Sequence, residues 1–112
     1  MVKRADRIAD EIRDIIGGLF QGGVLEDPAL KGITITAAKV SPDLQVATLY
    51  FRVYKDTQGE IKAASAGLRR ASPFFRKKLA EALDLRRVPE VRFFYDESLE
   101  KASRIEDLLR QI

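Results

Sequence analysis

Neither cysteine nor histidine occurs anywhere in these 112 residues. Without thiols there is no disulfide framework and no thiolate nucleophile, a composition that fits a reducing compartment. Without imidazole the usual general base at neutral pH and the commonest metal ligand are gone. Long apolar runs are missing too: nothing approaches the ~18 residues that a membrane span requires. The opening stretch MVKRADRIADEIRD is charged from Lys3 and shows no apolar signal-peptide core. These absences point to a soluble cytoplasmic protein with no membrane partner, no cofactor and no bound metal.

What is present is charge. Asp, Glu, Lys and Arg make up 33% of the chain, against about 25% in typical globular domains. With asparagine also absent, this fits a heat-adapted source. The net charge of +3 hides an asymmetry. Between Ile61 and Arg92 nine cations face three anions, so that third of the chain carries +6 and the remainder −3. Basicity gathered in one region favours an anionic partner. The length is one domain's worth, read here as a single domain over 1–112, large enough for one core without staples.

Hydrophobic spacing orders the elements. Residues 3–20 predict a helix whose Ala5, Ile8, Ile12, Ile15, Ile16 and Leu19 share one stripe. LEDPALKG then reads as a connection. Two β-branched and aromatic runs, 33–40 and 44–54, predict strands joined by the Ser41-Pro42-Asp43 turn. In the second, Ala47, Leu49, Phe51 and Val53 share one face, while Thr48, Tyr50, Arg52 and Tyr54 share the other. Thr57 and Glu60 stand at capping-box spacing and start a helix that runs to about Ala71.

The stretch LRRASPFFRKKL (68–79) has helical spacing and five cations, yet Pro73 interrupts it. Proline lacks an N–H and collides with the carbonyl four residues back, at a cost of about 3 kcal/mol inside a helix. It is well tolerated in a new helix's first turn. A second helix over roughly 73–84 therefore begins where the first stops, with Phe75, Leu79, Ala82 and Leu83 facing inward. VRFFY (91–95) predicts a third strand, and Ser103 with Glu106 a last helix carrying Ile105, Leu108, Leu109 and Ile112.

The order α-β-β-α-kink-α-β, plus a short C-terminal helix, is an α+β arrangement of three strands in one sheet with helices on its apolar face. It is the topology of a type II KH domain, a single-stranded nucleic-acid module whose GxxG loop clamps the backbone between two helices. The break at Pro73 falls where that loop would be, and no GxxG occurs in the chain.

Three blocks resemble the bacterial ribosome-binding factor A family: RADRIADEIRDII, VSPDLQVATLYF, and RRASPFFRKKLAEALDLRRVPEVRFFYDESLEKASRIEDLL. Together they span nearly all of residues 4–109. The resemblance implies a KH-like fold in which an interhelical kink, usually Ala-x-Gly, replaces the GxxG loop. It implies a monomeric, non-enzymatic factor that binds the 30S small ribosomal subunit and 16S rRNA, including its 5′-terminal region. Late 30S assembly, rRNA processing and growth in the cold are the implied settings; DNA is not an expected partner. Ala71-Ser72-Pro73 falls on the kink motif, with proline where the family usually has glycine.

The residues expected to meet RNA are Arg69, Arg70, Ser72, Pro73, Arg76, Lys77, Lys78, Arg86 and Arg87, around a kink at Ala71, Ser72 and Pro73. Phosphate contacts by such residues supply affinity without sequence information. The same run also fits a merely solvated helix face, or a protein-interaction module docking an acidic partner. Phe74 and Phe75 fit either core packing or base stacking. Tyr50, Arg52 and Tyr54 are ordinary strand residues or a secondary contact. Lys3, Arg4 and Arg7 read as solvated. Gly67 suits close packing of its helix on the sheet, and Asp96 with Glu97 make too small a ligand set for a hard cation.

Overall fold

The computed structural model describes residues 3–112. Helix α1, Arg4–Gln21, buries Ile8, Ala9, Ile12 and Ile16 along one side, as its three-to-four spacing dictates. It ends at Gly22, whose N–H returns to the Gly18 carbonyl at 2.9 Å. The connection that follows is not featureless: Pro28–Leu30 forms one 3-10 turn. The Asp27 carboxylate caps it by accepting the Ala29 N–H at 3.0 Å, and Leu30 is buried beneath it.

Strands β1 (Ile33–Val40) and β2 (Val46–Val53) pair antiparallel, with an irregularity between Ile35 and Ala37. Their turn is closed by the Leu44 N–H donating to the Ser41 carbonyl at 2.8 Å, with Pro42 in the first central position. Leu44 takes a left-handed φ of 62°, so β2 starts at Val46 rather than at 44. Helices α2 (Gln58–Arg70) and α3 (Ser72–Ala82) then lead to β3 (Glu90–Tyr95). Strand β3 lies parallel to β2, giving a mixed sheet in the order β1-β2-β3. A parallel neighbour requires a crossover, and α2 with α3 supply it.

The core forms where the helices meet the inner sheet face. Ala47, Leu49 and Phe51 of β2 are fully buried against Ile12 and Ile16 of α1, Leu68 of α2, and Phe75 and Leu79 of α3. Each large side chain of this kind contributes about 1.5–3 kcal/mol by leaving water. Phe75 sits at the centre, with ring centroids 5.8 Å from Phe20 and 5.4 Å from Phe93. Ala82, expected to face inward, is exposed. Helix α3 ends there, and Leu83 turns to an extended conformation (ψ 137°) that returns its side chain to the core.

Gly67 serves a different neighbour from the sheet. A Cβ there would lie 3.0 Å from the Ala29 Cβ and 3.2 Å from Leu30 Cδ2, so the glycine lets α2 press against the 3-10 turn. The last helix, α4, spans Ser98–Arg110 and begins before the expected Ser103 cap. The start is set by Asp96, whose carboxylate accepts the Ser98 N–H at 2.9 Å. Its base is tethered by charge: Arg52 donates to both carboxylate oxygens of Glu100, at 3.1 and 2.9 Å, and to the Asp96 carbonyl. Beyond that tether Ile105, Leu108 and Leu109 are exposed. No helix is long and apolar enough to cross a membrane among the described residues.

Candidate nucleic-acid interface

The junction of α2 and α3 is built by two local signals. The Thr57 hydroxyl accepts the Glu60 N–H at 3.2 Å and fixes the start of α2. At the far end Ala71 alone separates the helices, at φ −82° and ψ −2°. Its N–H reaches the Gly67 carbonyl at 3.0 Å, and its own carbonyl accepts the Phe75 N–H at 3.1 Å. Pro73 lies in the first turn of α3, where a backbone N–H would have no intrahelical acceptor. The Arg69 carbonyl accordingly loses the donor an unbroken helix would bring it.

Beside this junction runs a groove of about 320 Å³. Ser65, Arg69 and Ser72 form its helical wall; Glu90, Val91, Arg92 and Phe93 form the other. Alternate strand residues point to opposite faces, so four consecutive residues of β3 share a groove only along the strand's edge. That edge is free, because β3 pairs with β2 alone. Arg69 is exposed and in no ion pair among the described residues, while Arg92 pairs with Glu90 at 3.1 Å.

The basic residues separate into several directions from there. Arg76, Arg86 and Arg87 meet at another cavity, beside the start of α1. Arg70 turns to the opposite side, where Nη2 and Nε donate to Asp27 Oδ2 at 2.9 and 3.2 Å. That guanidinium, then the Ala29 N–H, hold the Asp27 carboxyl below its usual range. Lys78 lies 3.9 Å from Glu81 and 5.5 Å above the Phe74 ring. Lys77 and Pro73 are not part of either wall: both are exposed. Phe75 is core, and Phe74 is half-buried with its ring edge-on to Phe75 at 6.2 Å.

The outer sheet face offers less. Tyr54 is exposed, and Tyr50 packs on Phe94 at 6.5 Å. Arg52 is committed to Glu100 and stacks over Tyr95 at 4.9 Å, so it bridges β2 to α4 instead of pointing outward. Asp96 accepts from the Thr36 hydroxyl at 2.6 Å and from the Ser98 N–H, which hold its carboxyl below the usual range. No group of three potential metal ligands occurs among the described residues.

Sequence reasoning missed two participants. Arg92 entered only as part of the charge count, although it lies on the strand edge that faces Arg69. Asp27's hold on Arg70 spans 43 residues; the Asp27-Pro28 pair signals a capped turn but not its distant partner.

A family model described as ribosome-binding factor A matches residues 4–109. A ribosome-binding factor A from a Geobacter species is 44% identical over 112 residues, covering 100% of this chain and 92% of that relative. The crystal structure of ribosome-binding factor A from Thermus thermophilus superposes with a TM-score of 0.73 at 23% identity, over 84% of this chain and 97% of that one; at that identity the likeness concerns the fold. A Thermus thermophilus ribosome-binding factor A homology model, fitted into the cryo-electron microscopy map of a 30S complex, gives a TM-score of 0.64 at 26% identity. It covers 80% of this chain and 91% of its own.

Proposed function

The chain belongs to the ribosome-binding factor A family, and from that premise we propose that it binds the 30S small ribosomal subunit through 16S rRNA during late assembly. It acts in the cytoplasm as a monomer and a single KH-like domain, by binding rather than by catalysis. The observation that carries the reading is the groove at the α2–α3 junction, with Arg69 and Ser72 opposite Arg92 on a free strand edge. A single RNA strand lying there meets guanidinium groups on both walls, which take phosphate oxygens in bidentate fashion. The unpaired strand edge offers backbone hydrogen-bonding groups to base edges.

The remaining expected contacts, Pro73, Arg76, Lys77 and Lys78 on α3 and Arg86 and Arg87 in the loop before β3, extend this surface. Arg70 contributes from behind, by holding the 3-10 turn against the junction. Bound to one conformation of the rRNA in preference to others, the protein shifts the folding equilibrium of the subunit. The 5′-terminal region of 16S rRNA is the proposed target, with maturation of that end as the consequence. Growth in the cold is where such help counts most, because misfolded RNA escapes slowly at low temperature.

Co-sedimentation with purified 30S subunits across a salt series tests the proposal. The double variant R69E/K77E should fold normally and lose association at moderate salt. Association equal to that of the unaltered chain would place the contact elsewhere.

A further inference from the structure

Arg4, set aside on sequence grounds as solvated, is not alone. It stands at the start of α1, where it shares an open cavity of about 510 Å³ with Arg76 of α3 and with Arg86 and Arg87 of the loop before β3. Three separate segments thus bring four guanidinium groups to one concavity. None of the four is ion-paired among the described residues.

Two carboxylates also line the cavity, Asp43 and Glu90, but both are engaged. Asp43 accepts from the Ser41 hydroxyl at 2.7 Å and from the Gln45 N–H at 3.2 Å, while Glu90 is held by Arg92. The guanidiniums are left to repel one another across a partly screened space, an arrangement that an anion relieves.

We propose that this cavity is a second phosphate site, which grips the backbone of the same RNA strand after it leaves the groove at the α2–α3 junction. Glu90 lines both spaces, so the two adjoin at the start of β3 and one strand can follow the edge from Arg69 and Arg92 to the four arginines. The inference rests on the RNA-binding reading above and extends it: recognition is two-point, and Arg4 is a phosphate-binding residue.

The test is filter binding of single-stranded 16S rRNA fragments, 4 and 12 nucleotides long, across a salt series. R4E/R86E probes the cavity, R69E the junction groove, and R104E on α4 serves as a control that reverses charge elsewhere. Each phosphate contact on single-stranded RNA adds about 0.7 to the log–log salt slope, worth about fivefold in affinity at 0.1 M salt. R4E/R86E should therefore bind the 12-mer at least about 25-fold more weakly, with a slope lower by about 1.4. The 4-mer, too short to reach both points, should lose far less. R4K/R86K should restore most of the binding, and pyrophosphate should compete with the 12-mer only at high concentration. If R4E/R86E behaves like R104E while R69E loses binding, the cavity proposal is overturned and the groove reading stands. If the unaltered chain binds neither RNA, both fall.

Discussion

Replacing Pro73 by alanine asks what bends the chain between α2 and α3. The substitution returns an N–H to the Arg69 carbonyl and allows one continuous helix, gaining a hydrogen bond worth about 0.5–1.5 kcal/mol. Straightening, however, would swing α3 away from the core. Phe75 and Leu79 are fully buried, and withdrawing them costs about 3–5 and 2–5 kcal/mol respectively, on the scale of large-to-small substitutions. Packing exceeds the hydrogen bond several-fold, so the bend should survive. Pro73 itself is exposed and lies outside the core cluster. What remains is the freer unfolded chain, a loss of about 0.4–1 kcal/mol. With an unfolding entropy of about 2.1 cal/mol/K per residue, P73A should lower Tm by no more than about 4 °C. Thermal melting by circular dichroism and filter binding to 16S rRNA fragments give the two readings, and RNA affinity should stay within about twofold. A rise in Tm of several degrees, or a folded variant that no longer binds, would refute the reasoning and make proline, not packing, the cause of the bend.

Other expectations follow from the same packing and charges. R69E should weaken RNA binding with little change in melting temperature, whereas R70E should lower the melting temperature more, because it faces Asp27 with a second carboxylate; the reverse pattern would exchange their roles. G67A gains about 1 kcal/mol of helix propensity but forces a methyl against Ala29 at 3.0 Å, an overpacking worth about 1–3 kcal/mol. Urea denaturation should show a net loss of up to about 2 kcal/mol, and a gain would mean that the 3-10 turn yields. Asp27, Asp43, Asp96 and Glu100 all have carboxyls held below their ordinary values of 3.8 and 4.5 by hydrogen bonds from Arg70, Ser41, Thr36 and Arg52 respectively. A depressed folded pKa gives stability that is present above the unfolded value and lost as pH falls through the folded one. The urea midpoint should therefore hold from about pH 7 to about 5 and decline below about 4. E100Q should make that decline shallower; an unchanged acid limb would show that Glu100 contributes nothing to it.

The elements could be read in the residues because each is locally determined. Ile8, Ile12 and Ile16 mark one side of α1, alternating Ala47, Leu49 and Phe51 mark the inner face of β2, and Thr57 with Glu60 mark the start of α2. Pro73 marked the junction because proline's constraint acts within a few residues. Long-range facts were not legible. Nothing in VRFFY says that it lies parallel to β2, and nothing near Arg70 names Asp27 as its partner. Ala82 was misplaced because the expected helix was continued past the point where Leu83 turns inward. The C-terminal start was misplaced because Ser103 offered a capping pattern, whereas the helix begins at Ser98, whose N–H the Asp96 carboxylate accepts. Arg4 required the fold: its cavity is assembled from segments separated by most of the chain.

The most direct measurement is photo-crosslinking of the chain to purified 30S subunits, with the modified peptides identified by mass spectrometry. RNA-linked peptides should fall at Arg69 to Lys78, at Arg86 and Arg87, and along Glu90 to Phe93, leaving Thr48 to Tyr54 and α4 unmodified. Adducts confined to the outer sheet face or to α4, with the α2–α3 junction untouched, would contradict the account.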